Sequence, residues 1–272
     1  MKKRLAVLAL LLLAGPPTAA YAVWGGQEDL THTGVGAMYY DFDGDGITAD
    51  DLICSGSNAG PTKSGANAVF LTAGHCLPPA AFGIPASDLY VSFDRDGRDG
   101  VGDLIQASEY HQMPGFGHDL GDLRDLGVLL LPTASTTDLP AIQLPAAGYL
   151  DQLKAARELK FMIVDVVGYG VIPVWEPAGP TQFEFDGVRR SGTSIITGLT
   201  KSMVLYNQQR HGIGTGSGVC FGDSGSPQFA QGTLLVLSVT SGGNGQCNAN
   251  NANYRVDTPQ ARAFLGQFLN LP

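Results

Sequence analysis

Apolar residues in this chain come in short runs broken by Gly, Pro, Asn and Asp, and this limits what the chain can fold into. The runs at 68–72, 89–93, 127–131, 161–167, 194–196 and 234–240 have the length and β-branched or aromatic content of strands. The 37 glycines fit many tight turns between them. Two stretches read as helix. One is short, at 150–159. The other closes the chain, where Thr258 can cap, Pro259 suits the first helical position, and Phe264, Leu265, Phe268 and Leu269 share a face. No internal repeat or low-complexity segment is apparent. The expectation is an all-β protein with a C-terminal helix.

Residues 1–22 stand apart. Lys2, Lys3 and Arg4 precede an apolar stretch too short to span a bilayer, and Ala20-Tyr21-Ala22 ends it in a small-x-small pattern. This reads as a secretory signal, so the protein is expected outside the cytoplasm, extracellular or periplasmic. The segment has no Cys on which to anchor a lipid. Loss of its three cations moves the net charge from −9 to −12. So acidic a surface argues against nucleic acid or an anionic membrane as partner. The remaining residues suffice for one large all-β domain or two small barrels. Four Cys in an exported chain read as two disulfides, and spacing alone allows three pairings.

Three local settings carry chemistry. Ser224 lies in Gly222-Asp223-Ser224-Gly225-Ser226-Pro227, where flanking glycines permit a tight turn and close approach of a carbonyl. A Ser hydroxyl is a weak nucleophile and needs an imidazole to take its proton. His75, in Leu71-Thr72-Ala73-Gly74-His75-Cys76, is the candidate base and acid. His32, His111, His118 and His211 lack such a context, and no HExxH or Cys/His cluster offers a zinc site. Asp119, Asp122 and Asp125 compete to orient the imidazole. Asp125 is preferred because the unbroken apolar strand begins directly after it.

The order His, Asp, Ser, with Cys54-Ser55-Gly56-Ser57 ahead of the His and Gly168-Tyr169-Gly170 after a β run, resembles the secreted, bacterial-type chymotrypsin/trypsin-like serine proteases. The resemblance runs from about Val23 to the C-terminus. It implies two six-stranded antiparallel β-barrels, the first about 23–135 and the second about 136–257, with a helix at about 258–270. Cleavage of protein or peptide substrates through an acyl-enzyme is implied, by a monomer needing no cofactor, with His75, Asp125 and Ser224 catalytic. Gly222 and Ser224 would form the oxyanion hole, and Cys54–Cys76 and Cys220–Cys247 would be the disulfides. Gly218, Val219, Ser241 and Gly243 would shape the specificity pocket, with Ala252 a weaker match. Without an acid at Gly218 that pocket would be neutral and fairly open, favouring an apolar residue before the cut. Val23-Trp24-Gly25-Gly26 resembles the activating terminus whose ammonium would pair with Asp223. Two readings stay open: signal cleavage releases that terminus directly, or it falls elsewhere. An apparent insertion at 58–66 would lie on the leaving-group side.

Two acidic loops resemble calcium sites. Asp41-Phe42-Asp43-Gly44-Asp45-Gly46 matches the opening of a calcium loop, although Leu52 stands where a bidentate Glu is usual. Asp94, Asp96, Asp99 and Asp103 form the second. Structural calcium and solvated acidic turns both remain open. So does a catalytically inactive binding or adhesion module on the same fold.

Overall fold

The computed structural model describes residues 23–48, 51–78, 82–96, 103–174, 179–208 and 216–272. The secretory signal expected at 1–22 lies outside them. Among the described residues no helix is long and apolar enough to cross a membrane. The first half runs β1 (Gln27–Glu28), β2 (Val35–Tyr40), β3 (Leu52–Pro61), β4 (Asn67–Thr72), β5 (Leu89–Ser92), β6 (Ile105–Gln106), β7 (Glu109–Gln112) and β8 (Gly127–Pro132). The second half has α1 (Tyr149–Ala155), β9 (Ile163–Gly168), β10 (Ile172–Val174), β11 (Gln182–Glu184) and β12 (Arg190–Leu199). It ends with β13 (Met203–Asn207), β14 (Pro227–Ala230), β15 (Val236–Gly243), β16 (Asn250–Arg255) and α2 (Pro259–Leu265).

In the second half β9 pairs with both β12 and β14, so β9-β12-β13-β16-β15-β14 closes into a six-stranded antiparallel barrel. Closure leaves that ring no free edge. The first-half sheet, in the order β6-β5-β2-β3-β4-β8-β7, is a half-barrel among the described residues. Both packed faces of β4 are apolar and buried from Ala68 onward, as its uninterrupted apolar run requires. β1 precedes the first sheet in sequence but pairs with β12, Gln27 opposite Ser191. The N-terminal stretch therefore belongs to the second barrel, and the first sheet begins at Val35.

The apparent insertion at 58–66 continues β3 into a longer hairpin with β4. Its tip docks away from the cleft: Lys63 N–H donates to the Phe268 carbonyl (2.8 Å), and Thr133 Oγ donates to the Gly65 carbonyl (3.1 Å). An effect on the leaving-group side is thus not what this segment provides. In α2 the Thr258 side chain accepts from Ala261 N–H at 3.1 Å, with Pro259 in the first turn. Phe264, Leu265 and Leu269 pack into the core beneath the first sheet, each contributing roughly 1.5–3 kcal/mol over an exposed side chain. The second barrel encloses a separate apolar cluster that includes Val23, Val164, Val166, Val219 and Leu237.

Candidate active site

His75 sits in a short 3₁₀ turn after β4, tied down by the Cys54–Cys76 disulfide. Asp125 lies two residues before β8, the neighbour of β4, so the two side chains meet at the end of the same strand pair. One oxygen of Asp125 accepts the His75 backbone N–H and the other faces His75 Nδ1, each at 2.9 Å. The second oxygen also accepts the hydroxyl of Ser241, from β15 in the other barrel. Asp125 is only 2 % exposed, so its charge must be met by such donors. A proton on Nδ1 leaves Nε2 as the acceptor facing solvent. The rival carboxylates are engaged elsewhere. Asp122 accepts from Tyr254 OH at 2.8 Å, and Asp119 accepts from Gly121 N–H at 2.8 Å.

Ser224 lies in the turn before β14, and that turn is fastened across the interface to the first sheet. Ser55 of β3 donates its N–H to the Ser224 carbonyl and its hydroxyl to the Gly222 carbonyl, both at 2.8 Å. Gly225 has φ 84°, and a Cβ there would sit 2.1 Å from Thr72 Oγ1 and 2.3 Å from the Ser55 carbonyl. Only glycine lets this turn press against β3 and β4. Gly222 has φ 88°. Among the described residues neither Gly222 N–H nor Ser224 N–H has a protein acceptor. Ser55 was legible in the sequence only as part of a motif, and its anchoring role was not.

Asp223 is fully buried. Its carboxyl accepts from Gly170 N–H at 2.9 Å and Cys220 N–H at 2.8 Å. Burial pushes it up to about 7, outweighing those two hydrogen bonds. A Cβ on Gly168 or Gly170 would lie 2.1 or 2.5 Å from this carboxyl, which explains the Gly-Tyr-Gly sequence. Val23 is fully buried in the second core at φ 42°, an unusual conformation for a β-branched residue.

The place of a side chain on Gly218 is taken by Gln208 and Trp24, whose atoms would lie 2.5–2.7 Å from a Cβ there. Val219 turns its side chain into the barrel core. Ser241 is bonded to Asp125, and Gly243 is exposed next to Asn251. Gln208 Oε1 accepts from Val219 N–H at 3.0 Å and Asn251 Nδ2 at 3.1 Å, so the buried groups here are amides. A side chain at 218 would therefore displace Gln208 or Trp24, and residues 209–215, which follow Gln208, lie outside the described residues. The Cys220–Cys247 disulfide forms beside Gly218.

One oxygen from each of Asp41, Asp43 and Asp45 lies within 4.8 Å of the others. Mutual repulsion raises the carboxyl of Asp45, chiefly through its hydrogen bond to Asp43. These are three of the six to eight oxygens that calcium takes. In the other loop, Asp94 Oδ2 accepts Asp103 N–H at 3.2 Å and Asp96 bridges to Val188. Asp99 lies outside the described residues.

His75, Gly222 and Ser224 open onto a cleft of about 520 Å³ on the Cys54–Cys76 side. Its walls are mostly apolar, a feature that no local motif announced.

The sequence profile of the trypsin family matches residues 53–264. No curated protein matches the chain by sequence. Among solved structures, human heparin binding protein is similar at 18% identity and TM-score 0.63, over 91% of this chain and 97% of that one. HL collagenase is similar at 16% identity and TM-score 0.61, over 89% and 96%. The Vibrio cholerae VesB protease gives 16% and 0.60, over 88% and 65%. At these identities the structures establish the chymotrypsin fold, and the profile match over most of the chain adds the lineage: the chain belongs to the trypsin family of serine-type peptidases.

Proposed function

We propose that this protein is a secreted serine endopeptidase that cuts protein or peptide substrates through His75, Asp125 and Ser224. The observation that carries the reading is the Asp125 carboxylate holding both the ring and the backbone of His75, with Ser224 on the same cleft. Ser224 Oγ attacks the scissile carbonyl carbon while His75 Nε2 takes its proton. The oxygen that becomes negative accepts from Gly222 and Ser224 N–H, donors each worth about 3 kcal/mol of barrier in comparable sites. Collapse breaks the C–N bond, and His75 returns the proton to the departing amine. Water then repeats the sequence on the acyl-enzyme.

Activation by a new N-terminus belongs to the same proposal. Cleavage before Val23 would turn a buried amide into an ammonium, and Asp223, a buried carboxyl met by the Gly170 and Cys220 N–H groups, is the partner we propose for it. Cleavage would also free Val23 from its strained φ, since a chain-terminal residue has none. Structural calcium at Asp41, Asp43 and Asp45 is retained as a proposal on the convergence of their oxygens, and no preference before the cut is proposed.

The test is an active-site phosphonate applied to the chain starting at Val23. One adduct is expected, lost in Ser224→Ala, and Asp125→Asn should slow peptide hydrolysis by about 10⁴-fold through the wrong imidazole tautomer. Labelling that survives Ser224→Ala would put the nucleophile elsewhere, and a correctly started chain that never labels would favour the inactive binding module.

A further inference from the structure

We propose that an aromatic-walled cleft contributes to substrate choice after the cut by taking a large apolar side chain from the leaving-group half of the substrate. This rests on the peptidase reading above. The cleft has His75, Gly222 and Ser224 at one end, and its walls include Tyr40, Phe42, Phe82, Ile84 and Phe221. Three of these rings are turned outward: Phe42 is 68% exposed, Phe82 71% and Phe221 55%. Exposed rings converging on a nucleophile form a concave apolar surface that the isolated chain leaves wet.

The rings are braced. Phe221 meets Phe183 of β11 edge-on at 5.2 Å, and Tyr40 lies 4.0 Å from Phe42. Such pairing holds aromatic faces in place before a ligand arrives, which lowers the cost of ordering them on binding. The occupant follows from position. The trypsin-family resemblance places the acyl half of the substrate along β15 at Ser241–Gly243, and no residue of β15 borders this cleft. A chain whose carbonyl sits at Gly222 and Ser224 N–H must leave toward Cys54, Cys76 and Phe221. The departing amine therefore carries its side chain into the aromatic walls.

Acyl transfer tests this directly, because an added amine binds in the leaving-group site and competes with water for the acyl-enzyme. The chain starting at Val23 is acylated with a small activated ester, and phenylalanine amide, leucine amide and glycine amide are compared as acceptors. The phenylalanine-to-glycine ratio of transfer is expected to be at least about tenfold, the scale of an apolar pocket's discrimination. It should fall several-fold in Phe82→Ala and in Phe221→Ala. The ratio is internal to each enzyme, so a variant that folds poorly or acylates slowly still reports it. A ratio near one in the parent, or unchanged in both variants, overturns the proposal. If the variants alter selectivity among acyl donors and leave the acceptor ratio alone, the cleft serves the other half and the proposal also fails. If no acyl-enzyme forms with the parent, the peptidase reading itself falls, and this inference with it.

Discussion

Asp223 is a carboxyl whose folded state depends on what stands beside it. While residues 1–22 precede Val23, the Val23 nitrogen is an uncharged amide, and burial holds the Asp223 proton up to about pH 7. The unfolded chain releases that proton near pH 4. The folded state therefore binds more protons between those values. Its gain in stability is full below about 4, declines as pH rises, and is gone above about 7. If the proposed ammonium of Val23 pairs with it, Asp223 is ionised throughout and this slope vanishes. Denaturant unfolding at about pH 5 and about pH 7.5 compares the Val23 form with one extended by a single residue. The extended form should lose roughly 1 kcal/mol per pH unit more than the other and be folded but poorly active. Parallel pH curves would rule out the pairing. The sequence marked Asp223, His75 and Ser224 because each sits in a compact local motif. Ser241 was assigned to a pocket wall, because its partner Asp125 lies 116 residues away and no local pattern encodes the contact.

At the scale of elements, the turn carrying Ser224 is shaped by what it touches. Gly225→Ala places a methyl 2.1 Å from Thr72 Oγ1 and 2.3 Å from the Ser55 carbonyl, at a φ that L residues disfavour. Backbone must move, so the expected outcome is loss of phosphonate labelling together with a destabilisation of about 2 kcal/mol or more. A variant that labels normally at full stability would show that the turn is not pressed against β3 and β4. Strands with continuous apolar runs were legible: 68–72 and 127–131 fall in β4 and β8, and 234–240 overlaps β15. β16, Asn250–Arg255, was not, because its buried positions include Asn251 and Asn253 and show no apolar alternation. β3 was obscured too, since Gly, Ser and Asn fill its buried core and Gly56 sits under the ring of Phe70. α1 stops at Ala155, well short of the expected 159, and Arg157 follows at φ 63°. The cap and first turn of α2 were read from Thr258 and Pro259, although the helix ends at Leu265 before Gly266.

For the whole molecule, the join between the two halves is polar as well as apolar. Arg189, 2% exposed, meets Asp29 at 3.1 Å and donates to the Val35 and Phe93 carbonyls and to Tyr169 OH. Removing one partner leaves a buried charge exposed to no counterpart but His32 and Thr31, so Arg189→Met should cost about 3–5 kcal/mol by denaturant unfolding. A loss under about 1 kcal/mol would mean that Arg189 does not hold the halves together. None of this network was visible in the sequence, since its members come from four separated segments. Ser55 joins the halves more locally, accepting Tyr169 N–H at 3.1 Å on the same hydroxyl that donates to Gly222. The nucleophile's turn is built by the second half but held in shape by the first, and the base comes from the first alone. A newly made chain with either half still unfolded thus carries Ser224 without its proton acceptor and without an ordered cradle. On the peptidase reading proposed above, the seam between the barrels would work as a clock: the capacity to cut other chains would arrive last, after there is no unfolded neighbour within the same molecule left to cut.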